Sequence, residues 1–304
     1  VGPAMALPGI FGADAPKTNN AELRTRGWEL EISWRDRIGR DFNYGISASL
    51  SDYKTVITKY DSPDNKINGW YQGKTYGDIW GYRVVGIAQS DNEMNAYLEK
   101  HPQIAIGDKW GGGDIMYANL DDDPAISPGA GTLDNHGDQT IIGNTTPRYA
   151  YSFTLEAQWK WIDFRAYFQG IGKRDYYIDE STFFGITQEW QMSFFEQHLD
   201  YFRYADSPLG ANFDSYYGRV RMDRNNTQCA DRWIQDASYL RLKNLQIGFS
   251  LPQNTKLAKY VKKARLYFSG ENLFTVSKLK IFDPEALKTN DDTYDGGAGK
   301  CYPQ

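Results

Sequence analysis

The stretch Tyr149-Ala150-Tyr151-Ser152-Phe153-Thr154-Leu155-Glu156-Ala157-Gln158-Trp159-Lys160-Trp161-Ile162-Asp163-Phe164-Arg165-Ala166-Tyr167-Phe168-Gln169 decides the fold. Tyr149, Tyr151, Phe153, Leu155, Ala157 and Trp159 alternate with Ala150, Ser152, Thr154, Glu156 and Gln158. Beyond the tight Lys160-Trp161 connection, Ile162, Phe164, Ala166 and Phe168 alternate with Asp163, Arg165, Tyr167 and Gln169. A period of two sends successive side chains to opposite faces of a strand. The segment therefore reads as two antiparallel strands with one apolar and one polar face.

Working outward, four more segments repeat the pattern. Trp28, Leu30, Ile32 and Trp34 alternate with Glu29, Glu31, Ser33 and Arg35. Phe42, Tyr44, Ile46, Ala48 and Leu50 alternate with Asn43, Gly45, Ser47 and Ser49. Leu245, Ile247, Phe249 and Leu251 alternate with Asn244, Gln246, Gly248 and Ser250. Ala264, Leu266 and Phe268 alternate with Arg265, Tyr267, Ser269 and Glu271. Most of these runs have roughly the 9–11 residues that a tilted strand needs to cross a bilayer, more than the usual 5–6 of soluble strands. Charged residues at mid-strand suit a wall facing a wet lumen. Trp28, Trp34, Tyr149, Trp159, Trp161 and Phe274 stand at pattern ends, where a membrane–water interface favours amphipathic rings.

The connections alternate in length. Residues 35–41, 160–161 and 252–262 make short links. Residues 50–148, 169–236 and everything after 278 make long ones. Short turns on one side and long loops on the other are the rhythm of outer-membrane barrels. Soluble domains seldom carry such long connections without structure of their own. Within the second long loop, 186–202 has a helical look. The expected class is all-β: an antiparallel transmembrane β-barrel portion with long extracellular loops.

Composition agrees. Aromatics are 15 % of the chain, yet the mean hydropathy is −0.64. Barrel strands show lipid only alternate side chains, so their average stays polar. No apolar run nears the ~20 residues of a transmembrane helix. A net charge of −5 and no basic stripe argue against nucleic acid as a partner. Two cysteines, Cys229 and Cys301, make neither a disulfide framework nor a zinc site; an oxidising envelope would let them pair across their long separation. No secretion signal, a basic stretch followed by an apolar core, is visible at Val1–Pro8. Six strands cannot close a large barrel, so the chain reads as part of a longer protein with a seventh strand to follow.

Five stretches then resemble one family, the SusC/RagA type of TonB-linked outer-membrane proteins, in family order across nearly the whole chain. They are Leu23-Arg24-Thr25-Arg26-Gly27-Trp28-Glu29-Leu30; Gly77-Asp78-Ile79-Trp80-Gly81-Tyr82; Gly113-Asp114-Ile115-Met116-Tyr117 with Asp138-Gln139-Thr140-Ile141-Ile142-Gly143-Asn144-Thr145-Thr146-Pro147; Ala237-Ser238-Tyr239-Leu240-Arg241-Leu242-Lys243-Asn244-Leu245; and Ser269-Gly270-Glu271-Asn272-Leu273-Phe274-Thr275. Each is weak alone; together they are specific. The resemblance implies that residues 1–304 are the C-terminal part of a TonB-dependent receptor barrel of about 22 strands, with the plug domain and the final strand lying elsewhere. It implies active import of oligosaccharide or peptide cargo, a SusD-like lipoprotein acting as lid, and energy from the TonB complex through an N-terminal part. The location it implies is the lipid bilayer of the Gram-negative cell outer membrane.

Candidate site residues follow from chemistry. Trp70, Tyr71, Trp80, Trp190, Tyr201, Tyr204, Tyr216 and Tyr217 lie in the long loops and offer flat faces to sugar rings or peptide side chains; equally, they would pack the loops together or meet a lid. Segments 69–86 and 183–217 hold all of them. Asn119, Asp121 and Asp123 are spaced to offer oxygens to a hard cation such as Ca²⁺. Against this, Pro124 stands where Gly is usual and no bidentate Glu follows, so a solvated acidic loop serves as well. Asp179, Glu180 and Glu189 are loop carboxylates from which a glycosidase pair could be drawn, but no framework in the sequence fixes their separation. No nucleophile motif or phosphate loop is present, and the expectation is no enzyme and no other cofactor. The rival from another class is a secreted or surface glycan-binding β-protein that does not span a membrane; an adhesin-like barrel is a third.

Overall fold

The computed structural model describes residues 19–62, 64–179, 181–186, 194–279 and 282–287. Six strands form one antiparallel sheet in strict sequence order: β1 (Ala21–Ile38), β2 (Phe42–Tyr60), β3 (Arg148–Trp159), β4 (Ile162–Lys173), β5 (Tyr239–Ser250) and β6 (Arg265–Ser277). All six expected segments are strands. The sheet is a portion of a barrel wall and is not closed.

Register decides which side chains share a face. Leu30 pairs with Leu50, Ile32 with Ala48 and Trp34 with Ile46. Ile46 pairs in turn with Leu155, and Ala48 with Phe153. Phe153 then pairs with Phe168, Phe164 with Ile247 and Ile247 with Phe268. The apolar sets of all six strands thus fall on one face. That face is uncovered: Ile32 is 58 % exposed, Phe268 67 % and Leu266 78 %. On the other face Ser33 bonds Ser47 and Ser49 bonds Ser152. Glu156 sits between Arg35 and Arg165 at 3.6 Å from each. Arg265 holds Asp163 and Gln246. The serine pairs and Glu156–Arg165 join direct neighbours, whereas Arg35–Glu156 and Arg265–Asp163 each reach across the bare backbone of an intervening glycine, Gly45 and Gly248.

Because consecutive strands are antiparallel, the three short turns lie at one end. Gly39 turns the first at φ +65°, and Lys160 the second at φ +54°. The turns touch: the Lys160 N–H donates to the Asp41 carbonyl and the Ser250 N–H to the Trp161 carbonyl. Lys160 Nζ lies over both Trp159 and Trp161. Two expectations change here. Neither Trp28 nor Trp34 is at a strand end, since β1 runs from Ala21 to Ile38. β1 and β2 have 18 and 19 residues, against 12 or 13 in the others. β3 leaves β2 at Ser51–Ala150, and the β1–β2 hairpin continues alone to Tyr60. Beyond the sheet its inner edge is met by the loop, with the Ile57 N–H donating to the Lys74 carbonyl.

At the other end the long connections form a structured layer. It contains α1 (Asp91–Leu98), whose Ser90 cap accepts from the Glu93 N–H, and three two-stranded ladders. The ladders pair 78–81 with 140–144, 84–87 with 115–117, and 175–177 with 234–236. The expected helix over 186–202 is a single 3₁₀ turn, Glu196–Leu199, with 187–193 outside the described residues.

Candidate functional site

The loop layer has its own core: Tyr82, Ile87, Ile115, Tyr117, Ile126, Ile178, Phe183, Phe184, Phe202 and Trp233 are buried together with residues 279, 282 and 287. All three long connections contribute. Burial raises the Tyr117 phenol well above its usual pKa, and its hydroxyl donates to the Asn225 carbonyl.

Most of the loop aromatics singled out by sequence turn their rings into this layer. Tyr217 stacks on Trp233 at 5.8 Å, and Tyr216 meets the same ring edge-on at 5.4 Å. The Tyr216 hydroxyl donates to the Arg232 carbonyl and accepts from Gln235. Tyr71 is buried under Lys74, and its hydroxyl accepts from the Trp80 indole. Trp80 lies against His136, and Trp70 lies between Tyr60 and Tyr76. The Arg203 guanidinium covers Tyr201 at 4.9 Å. Tyr204 remains 39 % exposed and packs edge-on against the buried Phe202 and the exposed Phe213. Trp190 lies outside the described residues.

The acidic run is occupied by its own backbone. Asp121 accepts from the Asp123 N–H, Asp123 accepts from the Ala125 N–H, and the Asn119 amide donates to the Asp123 carbonyl. Among the described residues no three His, Cys, Asp or Glu are grouped to hold a metal ion. Asp179 is held by Arg224; Glu180, Glu189 and Cys301 lie outside the described residues. Burial and the charge of Asp179 push the Cys229 thiol up to about 12.

One group was not foreseen from sequence. Asp114 is fully buried and accepts from Arg219 at 2.6 Å, Arg221 at 2.8 Å, Asn226 at 3.0 Å and the Gly111 N–H at 2.8 Å. Arg221 also grips Asp223. This joins the first long connection to the second. Gly113, at φ +82°, makes the approach possible, since a Cβ there would meet Phe202 and Arg219. The only sequence signal was the run Gly111-Gly112-Gly113-Asp114, whose partners lie more than a hundred residues away.

The polar face of the sheet supplies a second surface. Near the turn end, Arg35, Arg37, Asn43, Glu156, Asp163, Arg165 and Gln246 line an open groove of about 580 Å³. It offers charges of both signs and no nucleophile–base pair.

No family model matches the chain. The chain is 28 % identical over 304 residues to TonB-dependent receptor P3 of Formosa agariphila, matching 94 % of this chain and 27 % of that protein. TonB-dependent receptor P26 of the same organism is 22 % identical over 301 residues, matching 92 % of this chain and 27 % of that protein. The chain therefore spans about a quarter of the length of these relatives. Among solved structures, the RagAB peptide transporter matches with a TM-score of 0.63 at 20 % identity, over 93 % of this chain and 29 % of that one. The RagAB peptide importer in its closed-closed state matches with a TM-score of 0.62 at 20 % identity, over 98 % of this chain and 30 % of that one. The fold is that of part of such a barrel. The SusC/RagA-type resemblance holds along nearly the whole chain.

Proposed function

We propose that this chain forms part of the wall and outer mouth of an outer-membrane importer of complex nutrients, oligosaccharides or peptides. The observation that carries the reading is the two-faced sheet. One face is apolar in every strand and uncovered, and the other is a continuous polar ladder. A bilayer outside and a wet lumen inside satisfy both. A secreted glycan-binding protein would leave the apolar face of six strands in water, well beyond the few hundred Å² that soluble monomers tolerate. The relatives' names support transport, and none suggests catalysis.

In this reading the loop layer is the extracellular mouth, the short turns face the periplasm, and energy arrives from TonB through a plug held outside these residues. A SusD-like lipoprotein closes the mouth, as the peptide-transporter likeness suggests. Tyr204 and Phe213, both exposed and in ring contact, are one apolar surface that the loop layer offers to lid or cargo. The test uses the full-length protein in cells. Tyr204→Ala with Phe213→Ala should weaken lid capture or growth on the cargo while leaving membrane insertion unchanged. Normal uptake and normal lid association would remove this surface from the mechanism. Extraction of the parent by salt or alkali without detergent would overturn the importer reading itself.

A further inference from the structure

The β1–β2 hairpin rises beyond the sheet, and its outward face changes character there. Arg26 pairs with Lys54 and Arg24 with Val56, one and two rows above the pair Trp28–Asp52. The register shift lies farther out, between Glu22 and Leu23. Arg24, Arg26 and Lys54 therefore share the face of Leu30, Ile32 and Leu50, just past the last apolar row. All three are exposed, and among the described residues none has an ion pair or side-chain hydrogen bond. The acids nearby are engaged: Asp52 is held by Arg148, and Glu22 lies 3.7 Å from Lys59.

Like charges directly opposite across an antiparallel pair are destabilising. The Arg26–Lys54 pair is such an arrangement, and Arg24 adds a third cation about 7 Å along the strand. An anion seated between them offsets the repulsion. Position limits which anion. The site lies at the margin of the lipid-facing band, outside the barrel and on the loop side, where headgroups and not cargo are the neighbours. Guanidinium forks suit phosphate oxygens, and a lysine beside them adds charge.

We propose that Arg24, Arg26 and Lys54 bind the phosphate of an anionic outer-leaflet lipid headgroup. This rests on the membrane-spanning reading above. The test uses full-length protein in phosphatidylcholine nanodiscs doped with phosphatidylglycerol, with retained lipid read by native mass spectrometry. Heat-modifiable gel mobility reports insertion separately, so a failed barrel is distinguished from a failed site. Wild type should retain phosphatidylglycerol in preference to phosphatidylcholine. At about 1 kcal/mol per basic residue near an anionic surface, each charge removed should cost roughly five-fold in retention. The triple variant Arg24→Gln, Arg26→Gln, Lys54→Gln should lose the preference. Removing two lumenal charges, Arg35→Gln with Arg37→Gln, should leave it intact. Equal retention by wild type and the triple variant, or no preference in wild type, would overturn the site. Displacement of the lipid by millimolar inorganic phosphate would overturn the lipid assignment in favour of a free-anion site.

Discussion

Phe153 is the position at which the two-faced wall is best tested. Its ring stacks on Phe168 at 4.5 Å, and Ala48 is its neighbour on the other side. Outward rows run from Tyr149 at one margin to Trp159 at the other. Phe153 is four residues from the first and six from the second. At about 3.4 Å per residue and a tilt near 40°, those intervals span roughly 10 and 16 Å. Their sum matches an apolar band of about 25 Å, and Phe153 falls within a few Å of its middle. Arg at the midplane costs roughly 2–4 kcal/mol, and the lost ring pair adds about 1 kcal/mol. Thr154 is one residue away, but it faces the lumen beside Ser47 and Tyr167. Thr154→Arg keeps its charge in water and should cost under about 1 kcal/mol. The assay is the fraction of full-length protein that reaches a heat-modifiable, detergent-resistant barrel in vesicles over a urea series. Phe153→Arg should shift the equilibrium by roughly thirty-fold or more, and Thr154→Arg by a few-fold at most. Equal losses at the two positions would refute the assignment of faces.

Three further outcomes are expected from the loop layer. Asp114→Ala strands Arg219 and part of the Arg221 charge, which on the scale for broken buried pairs should cost about 3 kcal/mol; limited proteolysis should then cut 108–114 and 219–226 while the barrel stays inserted, and unchanged resistance would show that the hub carries no stability. Burial raises the Asp223 carboxyl, but the Arg221 hydrogen bonds, the Asn225 N–H and the nearby charges outweigh it and hold the group below 3.8. Its stabilising effect is therefore complete above the unfolded value near 3.8 and is lost as pH falls through the lower folded value; loop protection measured at pH 5 and at pH 3 should differ, and the difference should shrink in Asp223→Asn. With its thiol near 12, Cys229 should react with iodoacetamide at pH 7.5 far more slowly than a free cysteine, and rapid labelling of the folded protein would contradict the buried placement.

The wall was legible because its rules are local. Period two needs only neighbouring residues, and a two-residue link such as Lys160-Trp161 fixes which strand pairs with which. Even the polar ladder follows once the register does: Arg165 stands directly opposite Glu156, and Arg35 reaches it from two strands away because Gly45, which lies between them, has no side chain. Strand ends were less legible. The alternation of β1 breaks at Asp36, an acidic residue on the apolar face that the Tyr44 hydroxyl approaches at 3.5 Å, so the pattern stops before the strand does.

The loops obey a different logic, and this explains why ring-bearing positions could be found but not sorted. A tyrosine that packs and a tyrosine that presents have the same local sequence. What separates Tyr217 from Tyr204 is whether Trp233 is nearby, and that depends on how the second long connection folds back on itself. The Asp114 hub makes the same point with charge. Its carboxylate is desolvated only because Arg219, Arg221 and Asn226 arrive from a connection that begins two strands later. A buried carboxylate without those partners would be expensive, so the two loops are mutually dependent. Any lid or cargo surface built on them should therefore respond to changes at Asp114, though Asp114 is itself out of reach of either.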